Sequence, residues 1–188
     1  MPALVLYGAP AAGKDTVTDA LKRISPRYSL FPRLKVGPGK TAGYRMSSEA
    51  AIEALRAAKE IVWENRRYAA LYAIDRPMLD MMLTKGNIPI LHMGQPEGIE
   101  AVVRHVGPKR CVVVHLWCAR VEAIRRLKLR DSVSVAARLK AWDDTPEILS
   151  PCLRIDTGVT KPPVTAALIH AQMPDHRRDG ALAPPMPG

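Results

Sequence analysis

The chain has 188 residues, 47% hydrophobic and 24% charged, the balance of an ordered soluble protein and enough for one domain with a well-buried core. No apolar run approaches the ~20 residues that span a bilayer, and no signal segment precedes "PALVLYG", so a cytoplasmic protein without a membrane partner is expected. A net charge of +10 points to an anionic partner, but the basic residues are spread along the chain and Phe31 is its one phenylalanine, which supports a nucleic-acid stacking platform poorly.

Residues 3–7, "ALVLY", form a continuous apolar run, as a parallel strand buried on both faces does. The next stretch, "GAPAAGKDT", fits the phosphate-binding spacing G-x-x-x-x-G-K-[ST] from Gly8 to Gly13 and Lys14, except that Asp15 stands where the pattern has Ser or Thr. A helix follows from Lys14 to Ile24, with Val17, Ala20, Leu21 and Ile24 at helical spacing. Glycine at positions 8 and 13 lets the backbone turn tightly and aim its N–H groups, through Ala11, Ala12 and Thr16, at phosphate oxygens. The helix N-terminus adds partial positive charge, and Lys14 brings a full charge to the outer phosphates. A carboxylate beside phosphates is repelled unless a cation lies between them. Asp15 is therefore the candidate Mg2+ ligand, with Thr16 beside it; the plainer alternative is that Asp15 only complements the helix N-terminus.

Residues 31–46, rich in Gly, Pro and basic side chains, read as a long loop or irregular edge segment. Residues 47–72 begin with a serine at an N-cap position and continue in helix formers. A further helix is expected over 75–86, with Pro77 in its first turn and Gly86 as its stop. Strands are expected in 87–94 and 110–118, separated by a helix in 96–107. Residues 119–144 form a basic helical stretch interrupted near Ser132 to Val135. A last strand falls in 151–158 and a last helix in 163–173, and from Pro174 the chain has too little apolar content to pack. Three cysteines without C-x-x-C spacing argue against a disulfide framework or a zinc site and predict three buried thiols. Alternating strands and helices imply an open parallel sheet flanked by helices. Its ligand crevice lies at the C-terminal strand edge, where the glycine loop sits.

With the loop in place, residues 3 to about 170 resemble the guanylate kinases and their relatives, among which ribose bisphosphate phosphokinase also has an Asp after the loop lysine. "RLKLRDSVSVAARL" is similar to the family lid, implying that Arg126, Arg130 and Arg138 clamp the transferring phosphate. Arg126 and Arg130, four apart, share one helix face in any case. "LYAIDR" sits where the family has Y-Y-G-T-S-R, implying that Tyr72 holds the acceptor phosphate. "PRLKVGPGKTAGY" sits where it has T-R-x-x-R-x-x-E-x-x-G-x-x-Y, implying Arg33 and Tyr44 as further acceptor ligands with Lys35 as a substitute for a missing arginine. The resemblance implies a three-layer α/β P-loop kinase fold over residues 1–173, using ATP and Mg2+. Its acceptor-binding segment covers about 30–76 and its lid about 126–138.

The sequence departs from the family where guanine is read. The family's second arginine falls at Val36, one glutamate at Gly39, and the other at Trp63 or, after a one-residue shift, Glu64. Ile74 replaces a Thr or Ser, and "LHM" around His92 replaces D-x-D. Guanine N–H groups need acceptors, so GMP is not the expected substrate. Glu64, Asp75 and Gln95 are alternative acceptor contacts. His92, at the end of a core strand, is a candidate acceptor contact or base, with a structural histidine as its alternative. The expected activity is phosphoryl transfer from ATP to a phosphate-bearing small molecule, a nucleoside monophosphate or atypical nucleotide first and a sugar phosphate second. The rival from another class is an inactive guanylate-kinase-like interaction module, which the near-intact loop disfavours; nucleic-acid binding ranks last.

Overall fold

The computed structural model describes residues 1–67, 69–129, 135–149 and 151–174. In chain order the elements are β1 (Ala3–Tyr7), α1 (Lys14–Ile24), β2 (Tyr28–Leu30), β3 (Leu34–Val36), β4 (Arg45–Met46), α2 (Glu49–Ala57), β5 (Ile61–Arg67), β6 (Ala70–Asp75) and α3 (Arg76–Thr84). They continue as β7 (Ile88–Met93), α4 (Pro96–Val106), β8 (Cys111–Trp117), α5 (Arg120–Leu129), α6 (Val135–Asp143), β9 (Leu153–Asp156) and α7 (Pro162–Gln172).

Five strands form a parallel sheet in the order β2-β7-β1-β8-β9. The central strand β1 alternates its side chains between two cores, as the period of two requires. Leu4 and Leu6 pack with Val17 and Leu21 of α1 and Ile169 of α7. Ala3, Val5 and Tyr7 pack on the other side with Leu79 of α3 and Val102 of α4. Leu4, Leu6 and Leu21 are fully buried, each worth roughly 1.5–3 kcal/mol relative to exposure. Both faces of β1 are thus covered by helices, which accounts for its unbroken apolar run. The strand delivers the chain rigidly to Gly8.

A second sheet, in the order β4-β3-β6-β5, stands beside the first. Here β3 pairs parallel with β4 and antiparallel with β6, and β6 pairs antiparallel with β5. One face carries Leu34, Leu71 and Ala73, which pack on Ile52 of α2. This sheet corrects two expectations. The segment 31–46 is not only loop, since β3 and β4 lie in it. The helix expected over 47–72 ends at Ala57: Ser48 caps it by accepting from the Ala51 N–H, and Lys59 then turns left-handed at φ 58. Beyond that turn, Ile61 to Arg67 pair with β6 along most of their length, so tertiary pairing overrides helix propensity there. β2, three residues joined to β7, had no signal beyond its length.

The other expected strands and helices are present close to their expected bounds. Most of the expected break near 132–135 and the tail beyond residue 174 lie outside the described residues. Cys111 and Cys118 are buried as expected, but Cys152 is exposed because it precedes β9 at the sheet edge. No helix among the described residues is long and apolar enough to cross a membrane.

Candidate active site around the phosphate loop

The loop between β1 and α1 needs its glycines. Gly8, at φ 154, passes so close to β8 that an added Cβ would lie 2.2 Å from the Leu116 carbonyl oxygen. Gly13, at φ 88, is the N-cap of α1 in the left-handed region that glycine tolerates. Ala11 shares that region at φ 63, and the Ala12 N–H donates to the Ala9 carbonyl at 3.2 Å. Thr157, just past β9, backs the loop: its Oγ1 lies 3.1 Å from the Ala12 carbonyl oxygen.

The Lys14 ammonium donates to the carbonyls of Gly8 at 2.5 Å and Ala9 at 2.9 Å, which holds it across the mouth of the loop. Burial lowers it from an ordinary 10.5 to about 8, with Asp15 opposing and Arg33 and Arg67 adding to the effect. His92, on β7, bonds Thr18 Oγ1 through Nε2 at 2.8 Å, and its Nδ1 is 3.6 Å from the Asp15 carboxylate. Burial, followed by the fields of Lys14 and Arg33, holds His92 well below 6.5. The ring is therefore neutral at pH 7, a hydrogen-bonding group and not a cation.

Asp15 is 59% exposed at the lip of the loop. Among the described residues no three His, Cys, Asp or Glu side chains gather to hold a metal. A single open carboxylate fits Mg2+, which keeps waters and takes its remaining oxygens from substrate phosphates. Asp15 is the residue that would hold it.

A cleft of about 560 Å³ opens from the loop toward the second sheet. Among the described residues its lining brings together Lys14, Arg33, Lys35, Lys40, Arg67 and Arg138, with Asp15 as the one carboxylate. Tyr44, Tyr72 and His92 share the wall. Strand register builds its floor, because Lys35 and Asn65 both lie directly opposite Tyr72, on either side of it. The three side chains form a row across the sheet. Lys35 is 1% exposed, donates to the Lys40 carbonyl at 2.8 Å, and sits 5.6 and 5.9 Å from the centres of the Tyr44 and Tyr72 rings. Burial lowers Arg33 from its usual value, against the pull of Tyr44 and Tyr72.

Not every expected residue reaches this cleft. Glu64 is turned to the α2 side of β5, where Arg56 grips both of its oxygens. Asp75 is 4% exposed, ion-paired with Arg45, and accepts from the Met78 N–H as the N-cap of α3. The spatial alternation of a strand and the demand of a helix end for a cap use these carboxylates structurally. Arg126 and Thr16 line a second hollow of about 370 Å³, which shares Ala11 and Gly13 with the cleft. There the Arg126 guanidinium donates to the Ala11 carbonyl at 3.0 Å and the Thr157 carbonyl at 2.6 Å. Arg130 lies outside the described residues. Asp143 pairs with Arg120 and Asp144 with Lys140, both outside the lid segment 126–138.

The cleft also contains residues the sequence reading passed over. Arg67 donates to the Ala141 carbonyl of α6 at 3.3 Å, and Asn65 donates to Gln95 at 2.7 Å. The signal was the period of two in β5. Residues 63, 65 and 67 face the large sheet and cleft, whereas Glu64 and Arg66 face α2, Arg66 pairing with Glu49. Read as a helix, the same residues lose that alternation.

The chain is similar to a guanylate kinase from Anaplasma phagocytophilum, with a TM-score of 0.60 and 15% identity, over 94% of this chain and 88% of that one. It is also similar to a sugar kinase from Janibacter sp., with a TM-score of 0.54 and 15% identity, over 91% and 93%. This is the P-loop kinase fold. No family model matches the sequence, and no curated protein does.

Proposed function

We propose that the protein is a kinase that transfers the γ-phosphoryl group of ATP to a phosphate-bearing small molecule. The observation that carries this reading is the glycine loop and its Lys14 opening into a cleft lined, among the described residues, by six cations and one carboxylate. A loose phosphoryl-transfer transition state asks for positioning and positive charge more than for covalent chemistry. The loop amides and Lys14 hold the donor phosphates, and Arg138 and Arg67 supply charge where the group is in flight. Arg33, Lys35, Tyr44 and Tyr72 hold the phosphate the acceptor already bears. The attacking oxygen bonds to the γ-phosphorus while the bond to the β,γ-bridging oxygen breaks, and ADP leaves with that oxygen and its electron pair. An attacking hydroxyl releases its proton to water. Asp15 would hold Mg2+, which would supply positive charge to the donor phosphates.

Arg126 acts here as a support of the loop, through Ala11 and Thr157. ADP release from MgATP in the presence of phosphorylated acceptors tests the proposal. Turnover with at least one acceptor, lost in Lys14→Met, is the expected result. MgATP binding without turnover would favour an interaction module, and absence of MgATP binding would refute the kinase reading.

A further inference from the structure

Resting on the kinase reading, the acceptor half of the cleft narrows the substrate class. We propose that the acceptor is a phosphorylated sugar or polyol, anchored by its phosphate on Lys35 and Arg33 and read by its hydroxyl groups at the Asn65–Gln95 amide pair, with no nucleobase contact.

The first observation is charge. The Lys35 side chain is 1% exposed, and among the described residues no carboxylate lies within ion-pair reach of it. Its partners are one carbonyl oxygen and the faces of two tyrosine rings, which offset a buried positive charge in part. Beside it, the Arg33 guanidinium makes no hydrogen bond or ion pair among the described residues. Both cations line the same cleft, where a bound anion would supply the counter-charge that no carboxylate among the described residues gives them. A phosphate monoester, a dianion at neutral pH, supplies two charges at one point.

The second observation is that, among the described residues, the floor of the cleft carries no carboxylate. The ring N–H groups of guanine need acceptors, and carboxylates serve this best. The floor row of Lys35, Tyr72 and Asn65 holds none. Glu64 is one residue away in sequence, yet the pleat turns it to the opposite face, and recruiting it needs a one-residue slip of β5 that would expose Trp63 from the core.

The third is what stands there instead. The Asn65 amide is bonded to Gln95 Oε1 at 2.7 Å, while Asn65 Oδ1 is buried without a partner among the described residues. An amide pair with one hydrogen bond between its members keeps both donor and acceptor capacity, the match for hydroxyl groups, which donate and accept.

The test isolates the base. Ribose 5-phosphate, AMP, GMP, CMP and UMP share the 5-phosphate and the pentose and differ at C1, which carries a hydroxyl group or a base, so affinity differences among them report on that substituent. Binding of each to the full chain is measured calorimetrically with the donor site saturated by a non-hydrolysable ATP analogue. Ribose 5-phosphate is expected to bind as tightly as every nucleotide, or tighter, within threefold. Lys35→Met is expected to weaken ribose 5-phosphate more than tenfold without weakening the ATP analogue. A base that tightens binding more than threefold overturns the proposal, as does failure of all five to bind, or a Lys35→Met effect below tenfold. The base comparison uses the wild-type protein, so it stands even if that variant folds poorly. Should the ATP analogue itself fail to bind, the kinase reading falls separately, and the five affinities measured without it still decide the base question.

Discussion

Lys14→Met is expected to make the protein more stable while removing its donor site. Lowering a lysine from 10.5 to about 8 amounts to about 3 kcal/mol of unfavourable burial of charge at neutral pH, at ~1.4 kcal/mol per pH unit. Losing the two hydrogen bonds to the Gly8 and Ala9 carbonyls offsets about 2 kcal/mol of that gain. The net is a stabilisation of about 1 kcal/mol, or roughly 2–4 °C for a 188-residue chain. The advantage has a defined pH dependence. Below pH 8 folded and unfolded chains both hold the lysine proton and the full cost is present. Between pH 8 and 10.5 only the unfolded chain holds it, so the wild type gains stability as pH rises and the variant's advantage fades. Thermal melts of both proteins from pH 7 to 10, with and without MgATP, measure this. A variant no more stable at pH 7, or one whose advantage grows with pH, would refute the electrostatic account of the loop. An unchanged melting shift on adding MgATP would refute the placement of Lys14 at the donor.

Gly8→Ala drives a Cβ to 2.2 Å from the Leu116 carbonyl, at a cost of at least about 3 kcal/mol, whereas Gly13→Ala meets Thr157 at 3.5 Å and pays only backbone strain, about 1–2 kcal/mol. Urea unfolding of the two variants checks that order. Arg45→Ala leaves the buried Asp75 carboxylate without its ion pair, costing about 2–3 kcal/mol, less than a fully enclosed pair because Arg45 is 31% exposed; steady-state kinetics with an accepted substrate should show an unchanged acceptor KM in this variant and in Glu64→Gln. The unfolded chain protonates His92 near pH 6.5 and the folded chain only far below, so stability should fall as pH drops below 6.5, and His92→Gln should flatten that slope in unfolding midpoints taken at pH 7 and 5.

The large sheet and the loop were readable because their signals are local. β1 carries apolar residues at every position, since both its faces are covered, and the loop carries glycine at Gly8 and Gly13; both patterns show as consecutive residues in the sequence. The second sheet was not readable in the same way. Residues 61–67 contain good helix formers, and what makes them a strand is pairing with β6, which no window of sequence contains. Read as a helix, the segment hides Asn65 and Arg67, while Glu64, aligned with the family's guanine-reading glutamate, is turned by the pleat toward Arg56. Asp75 was overestimated for a related reason: a carboxylate at the start of a helix looks free in sequence, and only packing shows it bonded to Arg45 and the Met78 N–H.

The sequence by itself determined the glycine loop after β1, because such a loop is built from consecutive backbone amides and the conformations they need. Tertiary structure alone decided the acceptor side. There the lining comes, among the described residues, from segments 33–44, 65–72 and 92–95, and which side chain of an alternating pair faces the cleft is set by strand register, a relation between residues far apart in the chain.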